Sequence, residues 1–139
     1  MISTTVRGLL DTSTLVLLGR LDDATTLPDE PLISVVTLAE LSVGPLVASS
    51  DNERAARQAH LQQAEADFDP LVFDSAAARK FGQVAASLRR AGRKPTARSF
   101  DAMIAATALA HDLPVHTCNP DDFIGIDDLT VVPVPHPNS

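Results

Sequence analysis

The sequence predicts an α/β domain with a central, mostly parallel sheet of about five short strands and helices on both faces. Short apolar runs alternate with longer segments of helical periodicity, and turn-forming residues separate them. This alternation is typical of parallel sheets that helices cover on both sides. The 139 residues suffice for one domain, predicted over residues 1–134, and the proline-rich residues 135–139 are predicted to be a disordered tail.

The first strand is predicted from the apolar run of residues 6–10, which ends at Asp11. Thr12 or Ser13 then caps a helix that continues to Gly19. Because a strand meets a helix at this point, Asp11 is expected at the carboxyl end of the strand.

The second strand is predicted over residues 32–36, after a loop over residues 28–31 that contains two prolines. Thr37 is the predicted N-cap of the next helix. It places Glu40 at the third helical position, so the two residues match a capping box. A capping role is therefore the alternative to a chemical role for Glu40.

The second half of the chain continues the alternation of strands and helices. Asp74 or Ser75 is the expected cap of one helix, and Ser99 is the expected cap of another. The predicted helices cover residues 50–68, 76–90 and 99–110. The predicted strands cover residues 71–73, 114–117 and 129–134. A basic loop over residues 91–98 and a turn over residues 119–122 separate these elements.

The composition excludes several classes of protein. Hydrophobic residues make up 45% and charged residues 21%, as in ordinary globular proteins. No apolar run approaches the ~20 residues that cross a bilayer, and residues 1–10 lack the pattern of a signal peptide. The single cysteine, Cys118, excludes an internal disulfide and a cysteine-rich zinc site. These features predict a cytoplasmic protein without membrane association.

Three carboxylates, Asp11, Glu40 and Asp101, each lie where an apolar stretch ends or a helix begins. An acidic group at the edge of a core is costly unless it is paired, neutralised or bound to a cation. In parallel α/β sheets, ligands bind beyond the carboxyl ends of the strands, where these residues could meet. Together they would attract a hard divalent cation, so the pattern predicts a magnesium- or manganese-dependent phosphoryl-transfer site.

The net charge of −7 argues against a nucleic-acid partner, but the charge is unevenly distributed. Five of the eleven basic residues fall within ten positions, and they are candidates for phosphate contacts: Arg89, Arg90, Arg93, Lys94 and Arg98. The alternative is a solvated helix end and loop. Because Trp and Tyr are absent, nucleic-acid contacts are expected to use phosphates and shape rather than base stacking.

Four segments in order resemble the PIN-domain nucleases, specifically the VapC toxins of bacterial VapBC toxin–antitoxin modules. Each segment is a weak signal alone, but their order in a chain of this length is a strong one. The segments are Leu-Asp-Thr-Ser at residues 10–13, Ser-Val-Val-Thr-Leu-Ala-Glu-Leu at residues 34–41 followed by Gly44, Phe-Asp-Ala-Met-Ile-Ala-Ala-Thr-Ala at residues 100–108, and Thr-Cys-Asn-Pro-Asp-Asp-Phe at residues 117–123.

The resemblance implies an endoribonuclease that uses Mg²⁺, with Mn²⁺ as a substitute, to activate water against a phosphodiester. Asp11, Asp101 and Glu40 match the catalytic, metal-binding carboxylates of the family. Asn119 stands where relatives often have aspartate, so it and Asp122 are candidate further ligands, and the number of ions stays open. Thr12 and Ser13 are candidates to position a phosphate or another ligand, with helix capping as the alternative.

The resemblance also implies a VapB-like antitoxin as partner, RNA as substrate, and a homodimer or a toxin–antitoxin hetero-oligomer. Apolar residues of segments 32–46 and 55–68 are expected to form the antitoxin groove, unless they are ordinary core. Two other functions remain open. One is a catalytically degenerate PIN domain that only binds partners. The other is a HAD-type phosphatase, in which a second aspartate usually occupies the position of Ser13.

Overall fold

The computed structural model describes residues 5–21 and 26–138, without the side chains of residues 96 and 97. The strands in these ranges are Arg7–Leu10 (β1), Glu30–Leu32 (β2), Val115–Thr117 (β3) and Val131–Pro133 (β4). They form one sheet in the order β2-β1-β3-β4, and every neighbouring pair is parallel. The predicted parallel sheet is confirmed, with four strands in the described residues rather than about five.

Five α-helices accompany the sheet in the described part of the chain: Thr12–Leu17 (α1), Val35–Leu46 (α2), Asp51–Asp67 (α3), Ser75–Arg90 (α4) and Ser99–Ala110 (α5). Short 3-10 turns cover Leu18–Arg20, Pro95–Arg98 and Pro120–Phe123. No helix in residues 5–21 and 26–138 is long and apolar enough to cross a membrane.

The core lies on both faces of the sheet. Neighbouring β1 residues Leu9 and Leu10 point to opposite faces, as strand geometry requires. Leu9 belongs to a cluster with residues of α4, α5 and β3, whereas Leu10 packs with Ile33, Leu41 and Ala64. The prediction of helices on both faces is therefore confirmed. Burying these apolar side chains supplies the main driving force for folding.

Three predicted helix caps are wrong. Asp11, rather than Thr12 or Ser13, caps α1 through a hydrogen bond from the Thr14 amide. Ser34, rather than Thr37, caps α2, because its hydroxyl accepts the Val36 amide at 2.9 Å. The cap position of α5 is Arg98 rather than Ser99, and the Arg98 side chain makes no capping hydrogen bond. The predicted cap at Asp74 is confirmed.

Two predicted strands differ from the structure. The strand predicted over residues 32–36 instead spans Glu30–Leu32, so it begins inside the predicted loop and ends before the Ser34 cap. Residues 71–73 form no strand, and only Leu71 makes an isolated bridge with Ser34. The shorter second strand follows from its pairing, since β2 has partners on β1 only along Arg7, Gly8 and Leu9.

The boundaries of the predicted domain and tail stay predictions, and residues 1–4 and Ser139 lie outside the described residues. Within the predicted tail, Asn138 accepts a hydrogen bond of 3.1 Å from the Arg20 guanidinium.

Candidate metal centre

The predicted carboxylates lie at the edge of the sheet where β1 and β3 end. Asp11 directly follows β1, Glu40 belongs to the second turn of α2, and Asp101 lies in the first turn of α5. Because parallel strands end at the same edge, a residue after β1 and one after β3 become neighbours. Asn119, two residues beyond β3, reaches the same edge.

Asp11 is almost fully buried, with 2% of its surface exposed. One carboxylate oxygen accepts hydrogen bonds from the Thr117 hydroxyl at 2.8 Å and the Ser13 hydroxyl at 3.3 Å. The other oxygen accepts the Thr14 amide at 3.3 Å. Burial raises the pKa of Asp11, and these donors oppose that rise by stabilising the ionised form. The structure therefore orients this carboxylate firmly, at the cost of desolvating it.

Glu40 is held by hydroxyl groups rather than by a capping box. The Thr12 hydroxyl donates to its carboxylate at 2.7 Å and lies 3.0 Å from the hydroxyl of buried Thr37. Burial raises the pKa of Glu40 and the negative charge of Asp11 adds to the rise, while the hydrogen bond from Thr12 lowers it. The predicted capping role of Glu40 is not observed, because its carboxylate points toward Thr12.

Asp101 is half-buried and makes no hydrogen bond or ion pair with the residues that the structure describes. Burial raises its pKa to about 6, and the charges of Asp122, Glu40 and Asp11 raise it further, while Arg98 lowers it. The four carboxylates are therefore within electrostatic reach of one another. The ionised form of Asp101 is therefore stabilised only in part, by the charge of Arg98, and a bound cation would stabilise it further.

The donor set fits a hard divalent cation such as Mg²⁺. Carboxylate oxygens are preferred ligands for Mg²⁺, which usually keeps several waters and needs only one or two protein carboxylates. Within the described ranges, however, no three His, Cys, Asp or Glu side chains lie close enough together to hold a metal ion, so the structure does not assemble Asp11, Glu40 and Asp101 into one ligand set. Asp101 and Asp11 are the candidate direct ligands, with Glu40 beside them, and their assignment stays a prediction.

The two further candidate ligands are occupied by other partners. Asp122 forms an ion pair of 2.7 Å with Arg98, and each side chain is about one-third exposed. Asn119 donates from its side-chain nitrogen to the Ser13 hydroxyl at 2.9 Å, and Ser13 in turn donates to Asp11. Asn119 thereby acts on Asp11 through Ser13. Its amide oxygen has no hydrogen-bond partner among the described residues.

The basic run divides into paired and unpaired side chains. Arg90 pairs with Asp127 at 2.6 Å, and Arg93 donates to the backbone oxygens of Asp121 and Ile124. By contrast, no hydrogen bond or ion pair to the described residues involves the side chains of Arg89 and Lys94, both of which are exposed. These two cations are the most available for phosphate contacts.

Three threonines that support the site were missed by sequence reasoning. Thr117 donates to Asp11, the Thr14 hydroxyl accepts the Cys118 amide at 2.9 Å, and Thr37 contacts Thr12. The signal available in the sequence was a polar residue that interrupts or ends an apolar segment. A buried hydroxyl requires a partner, so such a residue marks a polar network.

Comparison with known proteins identifies the family of this chain. The chain matches the PIN-domain family over residues 9–129. It is 39% identical over 136 residues to ribonuclease VapC5 of Mycobacterium tuberculosis, which covers 96% of this chain and 98% of that protein. Ribonuclease VapC4 of the same organism is 36% identical over 102 residues, covering 73% of this chain and 75% of that protein.

A crystal structure of a member of the VapBC family of toxin–antitoxin systems, VapBC-5 from Mycobacterium tuberculosis, contains a similar fold. It superposes with a TM-score of 0.80 at 38% identity, over 93% of this chain and 99% of that chain. The family match includes Asp11, Glu40 and Asp101 and removes the HAD-type alternative. The chain belongs to the PIN-domain family, in its VapC branch.

Proposed function

We propose that the protein is a Mg²⁺-dependent endoribonuclease and the toxin of a toxin–antitoxin pair, with a cytoplasmic location. Asp101 carries the proposal, because this half-buried carboxylate accepts no hydrogen bond from the described residues and feels the negative charges of three other carboxylates, which Arg98 offsets only in part. A bound divalent cation would stabilise its ionised form at working pH. The ribonuclease names of VapC5 and VapC4 support RNA as the substrate class.

The chain's own residues divide the work at the proposed site. Asp11 and Asp101 bind Mg²⁺ or Mn²⁺, and Glu40 supplies the third negative charge. Thr12 and Thr117 fix the carboxylate orientations through the bonds of 2.7 and 2.8 Å described above. When bound, the cation neutralises charge on the scissile phosphate and activates water for attack.

RNA is proposed to approach along the basic side of this edge. Arg89 and Lys94 are exposed cations without a partner in the described part of the chain, so they can bind phosphates without first breaking an ion pair. Each phosphate contact releases counterions and strengthens the salt dependence of binding. Arg79 and Lys80, near the start of the same helix α4, supply a control pair of identical charge.

A VapB-like antitoxin is the proposed partner, as the VapBC-5 toxin–antitoxin structure suggests. Between α1 and α3 lies a cavity of about 380 Å³. Apolar residues from both predicted groove segments line it, including Leu41, Ala64 and Phe68. A short apolar segment would fit there, while a basic side chain on the same partner would be attracted to the carboxylates. The homodimer or hetero-oligomer stays a prediction.

Expression in cells tests the proposal against a catalytically degenerate PIN domain. Induction of the parent chain should arrest growth and create new RNA 5′ ends, while Asp101→Asn should do neither. Co-expression with a cognate VapB-like antitoxin should restore growth. If neither the parent nor Asp101→Asn creates new RNA ends while both bind that partner, the chain is a binding module and the nuclease proposal is wrong.

A further inference from the structure

One phenylalanine is placed differently from the other four. Phe73, Phe81 and Phe123 belong to one hydrophobic cluster and Phe68 to the other. Phe100 belongs to neither cluster and leaves 42% of its surface exposed. The exposed part of the ring gains nothing from burial within the fold and is accessible to a ligand.

Phe100 is next to the carboxylate site in the chain. It directly precedes Asp101 in the first turn of α5, so the two Cα atoms are only about 3.8 Å apart. Arg98 occupies the cap position of the same helix, with its guanidinium 2.7 Å from Asp122, and its charge acts on Asp101. An exposed ring and a cation therefore both lie within three residues of this carboxylate.

We propose that Phe100 and Arg98 form a subsite for one nucleotide of the RNA, adjacent to the phosphate that is cut. The Phe100 ring stacks on an unpaired base, and the Arg98 guanidinium binds that nucleotide's phosphate in place of Asp122. Stacking requires only an aromatic face, whereas a guanidinium can bind phosphate through two parallel hydrogen bonds. This inference rests on the proposed endoribonuclease function.

Charge and position favour RNA over an apolar protein partner at this ring. A protein-docking surface requires contiguous apolar area. Phe100 is preceded by polar Arg98 and Ser99 and followed by Asp101, and the apolar residues one helical turn later, Met103 and Ile104, pack into the core. The second argument is position. Phe100 directly precedes Asp101, so an RNA that is cut at the carboxylate site passes close to this segment. This proposal departs from the expectation, drawn from the lack of Trp and Tyr, that base stacking plays no part.

The subsite is tested by measuring the binding of a labelled RNA oligonucleotide that contains a mapped cleavage site. The measurement is made in EDTA, so that cleavage does not interfere. Each base near the site is removed in turn to give a series of abasic RNAs. For the parent chain, we expect one abasic position to weaken binding by about 5- to 100-fold. Phe100→Ala should bind the intact RNA that much more weakly and should not respond to the same abasic position. Phe100→Leu should give an intermediate response.

A second series replaces single phosphates with uncharged methylphosphonates. In the parent, replacing the phosphate next to the base that stacks on Phe100 should weaken RNA binding. In Arg98→Gln, the same replacement should leave RNA binding unchanged. Val72→Ala is the control, since this side chain is 59% exposed and the change removes apolar surface outside both the carboxylate site and the predicted antitoxin groove. It should respond to both series as the parent does.

The outcomes separate this subsite from the proposed function. If the parent cleaves RNA but Phe100→Ala keeps the same abasic response, the stacking assignment is wrong. The same conclusion follows if Phe100→Ala binds RNA normally and loses only the antitoxin, because the ring then docks a protein. If the parent neither binds nor cleaves RNA, the endoribonuclease proposal itself fails.

Discussion

Replacing Asp101 with asparagine should stabilise the metal-free protein while abolishing cleavage. The substitution removes one negative charge from a group of four carboxylates and keeps the side-chain size. Asp101 makes no hydrogen bond with the described residues, so asparagine breaks none of them. If Asp101 had a structural role, the protein would instead lose stability when asparagine replaces it.

The magnitude follows from the pKa of Asp101, which the fold raises from an ordinary 3.8 to about 6. Between these values the folded chain binds more protons than the unfolded chain, so stability falls as pH rises through this window. The difference corresponds to about 3 kcal/mol at most. Solvent screening at a half-buried site and the lost interaction with the N-terminus of α5 reduce this, leaving about 0.5–2 kcal/mol.

Urea denaturation in EDTA measures the difference in the free energy of unfolding between Asp101→Asn and the parent. We expect the full gain at about pH 7.5 and about half of it at pH 5, because the parent is then partly protonated. Asp69→Asn is the control, since it removes the same charge from an exposed position and should change stability by less than about 0.5 kcal/mol. A variant that is less stable than the parent at about pH 7.5 and still cleaves RNA would refute the reasoning.

Three further predictions concern metal, RNA and the support of the site. Magnesium at about 100 times its dissociation constant should stabilise the parent by about 2.7 kcal/mol in thermal melting, and Asp101→Asn much less. Neutralising Arg89 and Lys94 together should make the salt slope of RNA binding about 1.4 less negative in titrations, whereas an unchanged slope would make them ordinary surface charges. Thr117→Val should cost about 1–3 kcal/mol in urea denaturation, because buried Asp11 loses its closest donor; no loss would contradict that role.

The sequence predicted the elements and the edge of the sheet that carries the site, because both follow from local patterns. Apolar runs of strand length indicate β1 and β3, and the carboxyl ends of parallel strands must meet. That is why Asp11 and Asn119 could be placed at one edge although they lie far apart in the chain, whereas Asp101 begins a helix and follows no strand. The order β2-β1-β3-β4 depends on packing between distant segments, so no local pattern contains it.

The errors arise where tertiary contacts decide between equivalent local choices. Ser34 and Thr37 are both good caps, and the choice depends on where β2 stops pairing with β1. The same holds for the basic run, whose charges are visible in the sequence. Arg90 finds Asp127 and Arg98 finds Asp122 at separations of 37 and 24 residues, which local reading does not reveal.

Cleavage of RNA by the purified protein in a metal titration tests the central claim most directly. We expect no cleavage in EDTA, cleavage when Mg²⁺ or Mn²⁺ is restored, and none from Asp101→Asn at any metal concentration. The physical reason is that the carboxylates repel one another and the RNA phosphate until a divalent cation lies between them. Undiminished cleavage by the parent in excess chelator would contradict the metal-dependent mechanism.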